Sequence, residues 1–118
     1  MNMEVSYDSI KKDISVFNRP KVVFYGKGNS PLCKKLILMA AHYKFDLSVK
    51  SAIFCFPEHA FMEKAEEDAT KNGTTLIITT SFEEAIKHAS LIYTESEKET
   101  DKLTEEFDFV VKGKVINA

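Results

Sequence analysis

Apolar positions open the chain at alternating steps of four and three. Met3, Tyr7, Ile10, Ile14 and Phe17 therefore share one side of a helix turning at 3.6 residues. Asp8 and Lys12, four apart, can pair weakly on the polar side. Asn18-Arg19-Pro20 closes this helix, because the residue before a proline avoids helical backbone. The stripe Tyr7, Ile10, Ile14 and Phe17 must be buried, either on the chain's own domain or on a partner, a second copy included.

The period then changes. Lys21-Val22-Val23-Phe24-Tyr25 is an unbroken β-branched and aromatic run, the mark of a buried strand. Gly26-Lys27-Gly28-Asn29 turns the chain into a helix, with Ser30 as N-cap and Pro31 at the first helical position. Leu32, Leu36, Met39, Ala40 and Tyr43 mark its inner face, and Lys34 and Lys35 lie on the other. The cycle repeats. Residues 45–54 read as a second strand, and Pro57 opens a helix through residue 71 with Phe61, Ala65 and Ala69 inward. Glu58 and Glu63 lie early in that helix, where its dipole favours anions. Asn72-Gly73 ends it, and residues 74–79 form a third strand. Ser81 and Glu84 make a capping box for a short helix over 82–88. Residues 91–94 form a fourth strand, 95–106 an acidic loop and short helix, and 107–111 a fifth strand turning at Lys112-Gly113-Lys114.

Strands alternating with helices at this spacing predict right-handed crossovers and an α/β fold. A parallel sheet of about five strands would lie between helical layers, in a three-layer α/β/α sandwich behind the N-terminal amphipathic helix. The division is 1–19 for the helix and linker and 20–118 for the sheet domain. Ligands of such sheets sit at the carboxyl ends of strands where strand order reverses, which directs attention to the loop 26–30.

Composition narrows the class. The chain has 118 residues, 44% of them hydrophobic and 29% charged, and a net charge of −2. No apolar run approaches the roughly 20 residues of a bilayer span, and no basic stretch with an apolar core opens the chain as a secretory signal would. These features predict a cytoplasmic protein with no membrane contact. Charge is uneven. Residues 11–50 carry nine Lys or Arg against two acids, and residues 51–118 carry seven Lys against fourteen acids. Kept on different faces, these segments would form a dipole able to steer toward a charged partner. The negative total, and the lack of exposed aromatics interleaved with Lys21, Lys27, Lys34 and Lys35, argue against nucleic acid.

The loop chemistry is incomplete for a nucleotide. Pro31 stands where the third glycine of the dinucleotide fingerprint belongs, and no Gly-Lys-Ser/Thr is present. No cofactor is expected. Cys33, Cys55 and His59 lie near the carboxyl edge of neighbouring strands, a weak thiol or soft-metal constellation beside the simpler reading of two buried thiols; no metal site is assigned. His42 and His88 fall at helix C-termini, where the dipole favours their cationic form.

The loop and the segments after it carry a resemblance. Tyr25-Gly26-Lys27-Gly28-Asn29-Ser30 resembles the Gly-Asp-Gly-Asn-Asn turn in the second, amino-acid-binding domain of the ornithine/aspartate carbamoyltransferase family. Leu38-Met39-Ala40-Ala41 is similar to that domain's first helix, and Pro57, Ala65-Glu66 and Asn72-Gly73-Thr74 to its second helix and flanks. Thr79-Thr80-Ser81-Phe82-Glu83-Glu84-Ala85 resembles the family's Thr-Asn-Asp-Pro-x-Glu-Ala, and Ala89-Ser90-Leu91-Ile92-Tyr93-Thr94 its Ala-Asp-Val-Ile-Tyr-Thr. The resemblance implies a Rossmann-like domain whose ligand would meet Gly26, Lys27, Gly28, Asn29, Ser30 and Glu95.

Departures from the family pattern shape the expected function. Ser30 stands in place of the turn's second asparagine, Lys27 in place of its aspartate, and Glu95 in place of the aspartate after the fourth strand. Glu99-Thr100-Asp101 occupies the place of Ser-Met-Gly, and Lys112-Gly113-Lys114-Val115 that of His-Cys-Leu-Pro. The Ser-Thr-Arg-Thr-Arg loop of the carbamoyl-phosphate domain has no counterpart in residues 1–20. No catalytic residue is assigned. The expectation is a degenerate stand-alone domain that binds another protein without catalysis, one form of it a viral or mobile-element modulator of a host factor. The alternative is a binder or sensor of an amino acid or phosphate-bearing ligand at Gly26–Ser30, with Glu95 receiving an amine. An enzyme built on Cys33 or Cys55 ranks behind both.

Overall fold

The computed structural model describes Lys12, residues 20–94 and the strand Lys114–Asn117. The helix expected over 3–17, with Tyr7, Ile10, Ile14 and Phe17, lies outside the described residues, as do Glu95 and the strand expected over 107–111.

Val22, Val23 and Phe24 have no exposure at all, so strand β1 (Lys21–Tyr25) is buried on both faces. A strand so placed must pair its backbone on both edges. It does so with β2 (Asp46–Lys50) on one side and β4 (Leu91–Thr94) on the other, both parallel. Outside them lie β3 (Leu76–Thr79) against β2 and β5 (Lys114–Asn117) against β4, giving the order β3-β2-β1-β4-β5. The chain thus runs outward from β1 to β3 and returns past β1 to β4. Strand order reverses between β1 and β4.

Helices fill both faces. Helix α1 (Pro31–Tyr43) starts where Ser30 Oγ accepts the Cys33 N–H, with Pro31 opening the first turn. It ends at Lys44, whose left-handed backbone (φ 59°) returns its N–H to Ala40 O. Helix α2 (His59–Asn72) packs beside α1 and buries fully only Ala65 and Ala69, with Phe61 and Met62 half-buried. Under these helices Val22, Phe24, Leu47, Val49, Leu91 and Tyr93 form the larger core. The opposite face carries the short helix α3 (Phe82–Ile86), whose Ala85 and Ile86 close over Val23 and Ile92. This is the predicted α/β architecture with a parallel sheet between helices.

Several boundaries differ from expectation, each for a local reason. Strand β2 ends at Lys50: Ser51 still donates its N–H to Thr79 O, but its hydroxyl takes the Gly28 N–H and a 3-10 turn follows over Ile53–Cys55. Helix α2 begins at His59 and not at Pro57, since Glu58 keeps an extended backbone (ψ 145°). Helix α3 ends at Ile86, short of His88, whose φ of 62° is incompatible with a continuing helix. Lys114, expected in a turn, begins β5.

Two polar contacts lock the amino edge. Lys21 Nζ donates to Lys87 O at 2.6 Å, and Ser90 N–H donates to Lys21 O at 2.8 Å. Partial burial of the Lys21 ammonium holds its pKa below the usual 10.5, with Asp46 opposing. The basic helix α1 and the acidic helix α2 are neighbours in one layer, so their charges are not split between opposite faces.

Gly73 tests the account of α2. It has φ +71° and nothing within 4 Å of an added Cβ, so Gly73→Ala meets backbone strain and no clash. Urea denaturation should show a loss of about 1–2 kcal/mol. An unchanged midpoint would remove the left-handed cap.

Candidate functional site

The carboxyl edge of the sheet gathers the loops after β1, β2 and β3. At the end of β1, Gly26 N–H donates to Lys50 O at 3.1 Å, carrying the β1–β2 ladder one residue further. A Cβ on Gly26 would stand 3.2 Å from the Phe24 ring, which explains a residue without one. Lys27 O then accepts the Ser30 N–H at 3.0 Å, closing a tight turn. Lys27 and Asn29 project into solvent, while Gly28 and Ser30 are buried.

Ser51 is the hub of this edge. Its Oγ accepts the Gly28 N–H at 3.0 Å and donates to Ala52 O at 3.0 Å. Its own N–H donates to Thr79 O at 3.1 Å. One residue, 1% exposed, thus ties the ends of β1, β2 and β3 together, by its hydroxyl to the Gly28 loop and by its N–H to Thr79. The approach is close enough to require glycine: a Cβ at position 28 would lie 3.2 Å from Cys55 O, 3.2 Å from Ser51 Oγ and 3.3 Å from Pro57 Cδ. Sequence reasoning placed Ser51 inside a strand and missed this role. The available signal was Lys50-Ser51, two consecutive polar residues that break the apolar–polar alternation of Phe45 to Lys50.

These bonds limit what the turn can offer an anion. A helix start attracts carboxylates and phosphates through its unused N–H groups. Here Pro31 has none, Cys33 N–H goes to Ser30 Oγ, and Lys34 N–H goes to Ser30 O at 3.0 Å. Ser30, a candidate ligand-binding residue, therefore serves as the cap of α1. Lys27 and Asn29 keep exposed side chains beside it. Thr94, fully buried, is in register with Tyr25, so β4 ends beside the Gly26 turn. Tyr25 meets Phe82 edge-on at 5.2 Å and carries Lys50 Nζ 5.4 Å above its ring.

The thiol and imidazole candidates do not converge. Cys33 is buried in the apolar core beneath α1, surroundings that make a thiol inert. Cys55 sits half-buried in the 3-10 turn, and the His59 side chain is 94% exposed, facing Glu63 at 3.5 Å. Among the described residues, no group of three or more His, Cys, Asp or Glu side chains could hold a metal ion. Nor is any described helix long and apolar enough to cross a membrane.

Two residues of this edge depart from the sequence expectation. Ile53 and Phe54, expected as strand residues, ride on the 3-10 turn with 72% and 86% of their surface exposed. They stand on the loop that packs against Gly28.

Comparison with known proteins agrees with this architecture. The chain superposes on the anabolic ornithine carbamoyltransferase of Campylobacter jejuni with a TM-score of 0.63 at 21% identity, over 83% of this chain and 35% of that one. The Pyrococcus furiosus ornithine carbamoyltransferase gives 0.62 at 24% identity, over 83% and 32%. At such identities the likeness defines the fold class, a Rossmann-like parallel α/β domain. Sequence takes the assignment further. Residues 18–117 match the profile of the aspartate/ornithine carbamoyltransferase Asp/Orn binding domain, and the chain belongs to that family. The ornithine carbamoyltransferase of Methanosphaera stadtmanae is 33% identical over 87 residues, 74% of this chain and 28% of its own length. That of Streptococcus pyogenes serotype M5 is 26% identical over 92% of this chain and 33% of its own. The chain spans about a third of the length of these curated relatives.

A double-mutant cycle tests the junction. Ser51→Ala leaves the buried Gly28 N–H without its acceptor and should cost about 1–3 kcal/mol in urea denaturation. Gly28→Ala should cost a similar amount, about 1–3 kcal/mol, by overpacking. The double variant should lose less than the two together, because removing Ser51 Oγ clears one contact of the new methyl. Strict additivity would show that the two loops do not meet.

Proposed function

We propose that this chain is a non-catalytic binding domain that acts by protein–protein interaction through the carboxyl edge of its sheet. The observation that carries the reading is the exposure of Phe54 and Ile53 on a turn stitched to the Gly28 loop by Ser51. An exposed aromatic side chain on a backbone that is tied down can anchor a protein interface by filling a pocket on the partner. Burying a side chain of this size is worth about 1.5–3 kcal/mol, and a pre-ordered turn loses little entropy on docking. The matching partner surface has an apolar pocket for Phe54, with acidic groups placed to meet Lys27.

Absence of catalysis rests on chemistry at the same edge. Ser30 is committed to capping α1, and Lys27 reverses the charge that the family resemblance implies there. Carbamoyl transfer needs a phosphorylated electrophile held against an amine, and the described residues of this edge bring neither a general base nor an anion clamp to one point.

A second reading is favoured by the family assignment, which is to an Asp/Orn binding domain. In it, Gly26 to Ser30 and Glu95 form a pocket for an amino acid or a phosphate-bearing ligand, with Lys27 as the cation.

The two readings separate experimentally. Affinity capture from the native host with wild-type chain should retain a stoichiometric protein, and Phe54→Asp should weaken its binding more than tenfold with the melting temperature unchanged. Calorimetry with ornithine, aspartate and inorganic phosphate should show no heat of binding. Tight ornithine binding abolished by Lys27→Ala, with capture unaffected by Phe54→Asp, would replace the first reading with the second.

A further inference from the structure

Strand β3 ends the sheet on the β2 side, and its backbone is only half used. Leu47 N–H donates to Thr75 O at 2.9 Å and Ser51 N–H to Thr79 O at 3.1 Å, while Thr75 N–H donates to Asp46 Oδ1 at 2.9 Å. The register agrees, with Ile77 opposite Ser48. Successive residues of a strand turn their N–H and C=O to opposite edges. Thr75, Ile77 and Thr79 therefore face β2, and Leu76 and Ile78 face away from it. Among the described residues, no hydrogen bond satisfies the N–H or C=O of Leu76 or Ile78.

Burial stops short of the same edge. All of β3 is half-buried, whereas Leu47 and Val49 on the neighbouring strand are sealed. Leu76 and Ile78 turn their side chains to the larger core under α1 and α2, so Ile77 lies on the opposite face. Free edges are normally guarded by a lysine or a proline. The run Thr74 to Thr80 has neither: it reads Thr-Thr-Leu-Ile-Ile-Thr-Thr, uncharged and strand-forming throughout. Strand β5, at the other end of the order, starts with Lys114. The run also reads nearly the same in both directions. About Ile77, Leu76 mirrors Ile78, Thr75 mirrors Thr79 and Thr74 mirrors Thr80.

We propose that β3 is an interface for a second copy of this chain, paired antiparallel about a two-fold axis at Ile77. That register sets Leu76 opposite Ile78 of the second copy, both with backbone groups turned outward. Such a pair exchanges two hydrogen bonds, and the two-fold axis repeats it, so every outward group of Leu76 and Ile78 is satisfied. Ile77 meets its own counterpart in the unbonded pair between them, where Cβ atoms approach to about 4.5–5.5 Å. Thr75 faces Thr79 on the same side of the sheet. The mirrored sequence is what selects a second copy over an unrelated strand: each cross-strand pair sets threonine on threonine or aliphatic on aliphatic, and the same patch serves on both molecules. Two five-stranded sheets then become one continuous sheet.

Solution mass of the full chain across a concentration series tests the pairing. Contact through one short strand pair is small, so the mass should fall from two chains to one on dilution. Hydrogen exchange at both ends of the series should show the Leu76 and Ile78 amides at least tenfold more protected in the dimer, with the Ile77 and Thr79 amides protected throughout. Ile77→Lys and Ile77→Glu each set like charges against each other across the axis, and each should weaken association at least tenfold. An equimolar mixture of the two variants should recover it, because lysine then faces glutamate. If either variant fails to fold, the exchange measurement on wild type decides alone. A wild type that stays monomeric at every concentration overturns the proposal and leaves the edge to a strand of another protein. A dimer indifferent to both charges, or variants that stay apart when mixed, overturns it equally. So does a dimer whose Leu76 and Ile78 amides exchange as they do in the monomer.

Discussion

The structure depends on one strand having no access to water. Val22, Val23 and Phe24 are sealed on both faces, so every backbone group of β1 must find its partner within the protein. Parallel neighbours on both sides supply those partners, and parallel neighbours can only be reached by crossovers. From that requirement come the helices on both faces, the reversal of strand order beside β1, and the convergence of loops at its carboxyl end. The site's position is thus a consequence of how a central strand is desolvated. It does not depend on the identity of the residues in the loop.

What those residues do is a separate matter. The loop after β1 has the glycine pattern of a turn that approaches something closely, and it does: Gly28 meets Ser51 Oγ, Cys55 O and Pro57 Cδ. Its near neighbour is another part of the same chain. The hydrogen-bonding capacity of the turn and of the α1 start is largely consumed inside the protein, and the residues turned outward are Lys27, Asn29, Ile53 and Phe54. Membership of a carbamoyltransferase family settles descent and fold. The two proposed readings of function, surface recognition and metabolite capture, divide along Phe54 and Lys27.

Elements set by local chemistry were legible in advance. Ser30 and Ser81 each lie three residues before the N–H they accept, a spacing visible in any sequence. Gly73 stands where the left-handed exit of α2 needs it. The capping box at Ser81 was foreseen in half: Ser81 N–H goes to Thr79 Oγ1, and Thr79 in turn reaches Glu84 Oε2, so the loop closes through a third residue. Elements set by tertiary contact were not legible. The run from Phe45 to Phe54 is predicted as one strand, and nothing local announces that the Ser51 hydroxyl takes the N–H of Gly28, 23 residues away. Lys114–Asn117 brackets two apolar residues with polar ones, and its strand character comes from pairing with Leu91–Thr94. The loop after β1 falls at the switch point, as expected, because topology fixes where strand order reverses. The occupation of its hydrogen bonds was hidden, because that depends on distances.

Helix α2 stands apart from this picture in how lightly it is held. It fully buries just two methyl-bearing side chains, Ala65 and Ala69, with Phe61 and Met62 half covered, whereas α1 commits seven residues to the interior. Free energies of local opening scale with such commitments, and α2 is therefore the first of the two helices to detach in thermal fluctuations. Such an opening uncovers β3, while the turn that carries Phe54 stays tied to the Gly28 loop through Ser51 and so keeps its place when the helix behind it moves.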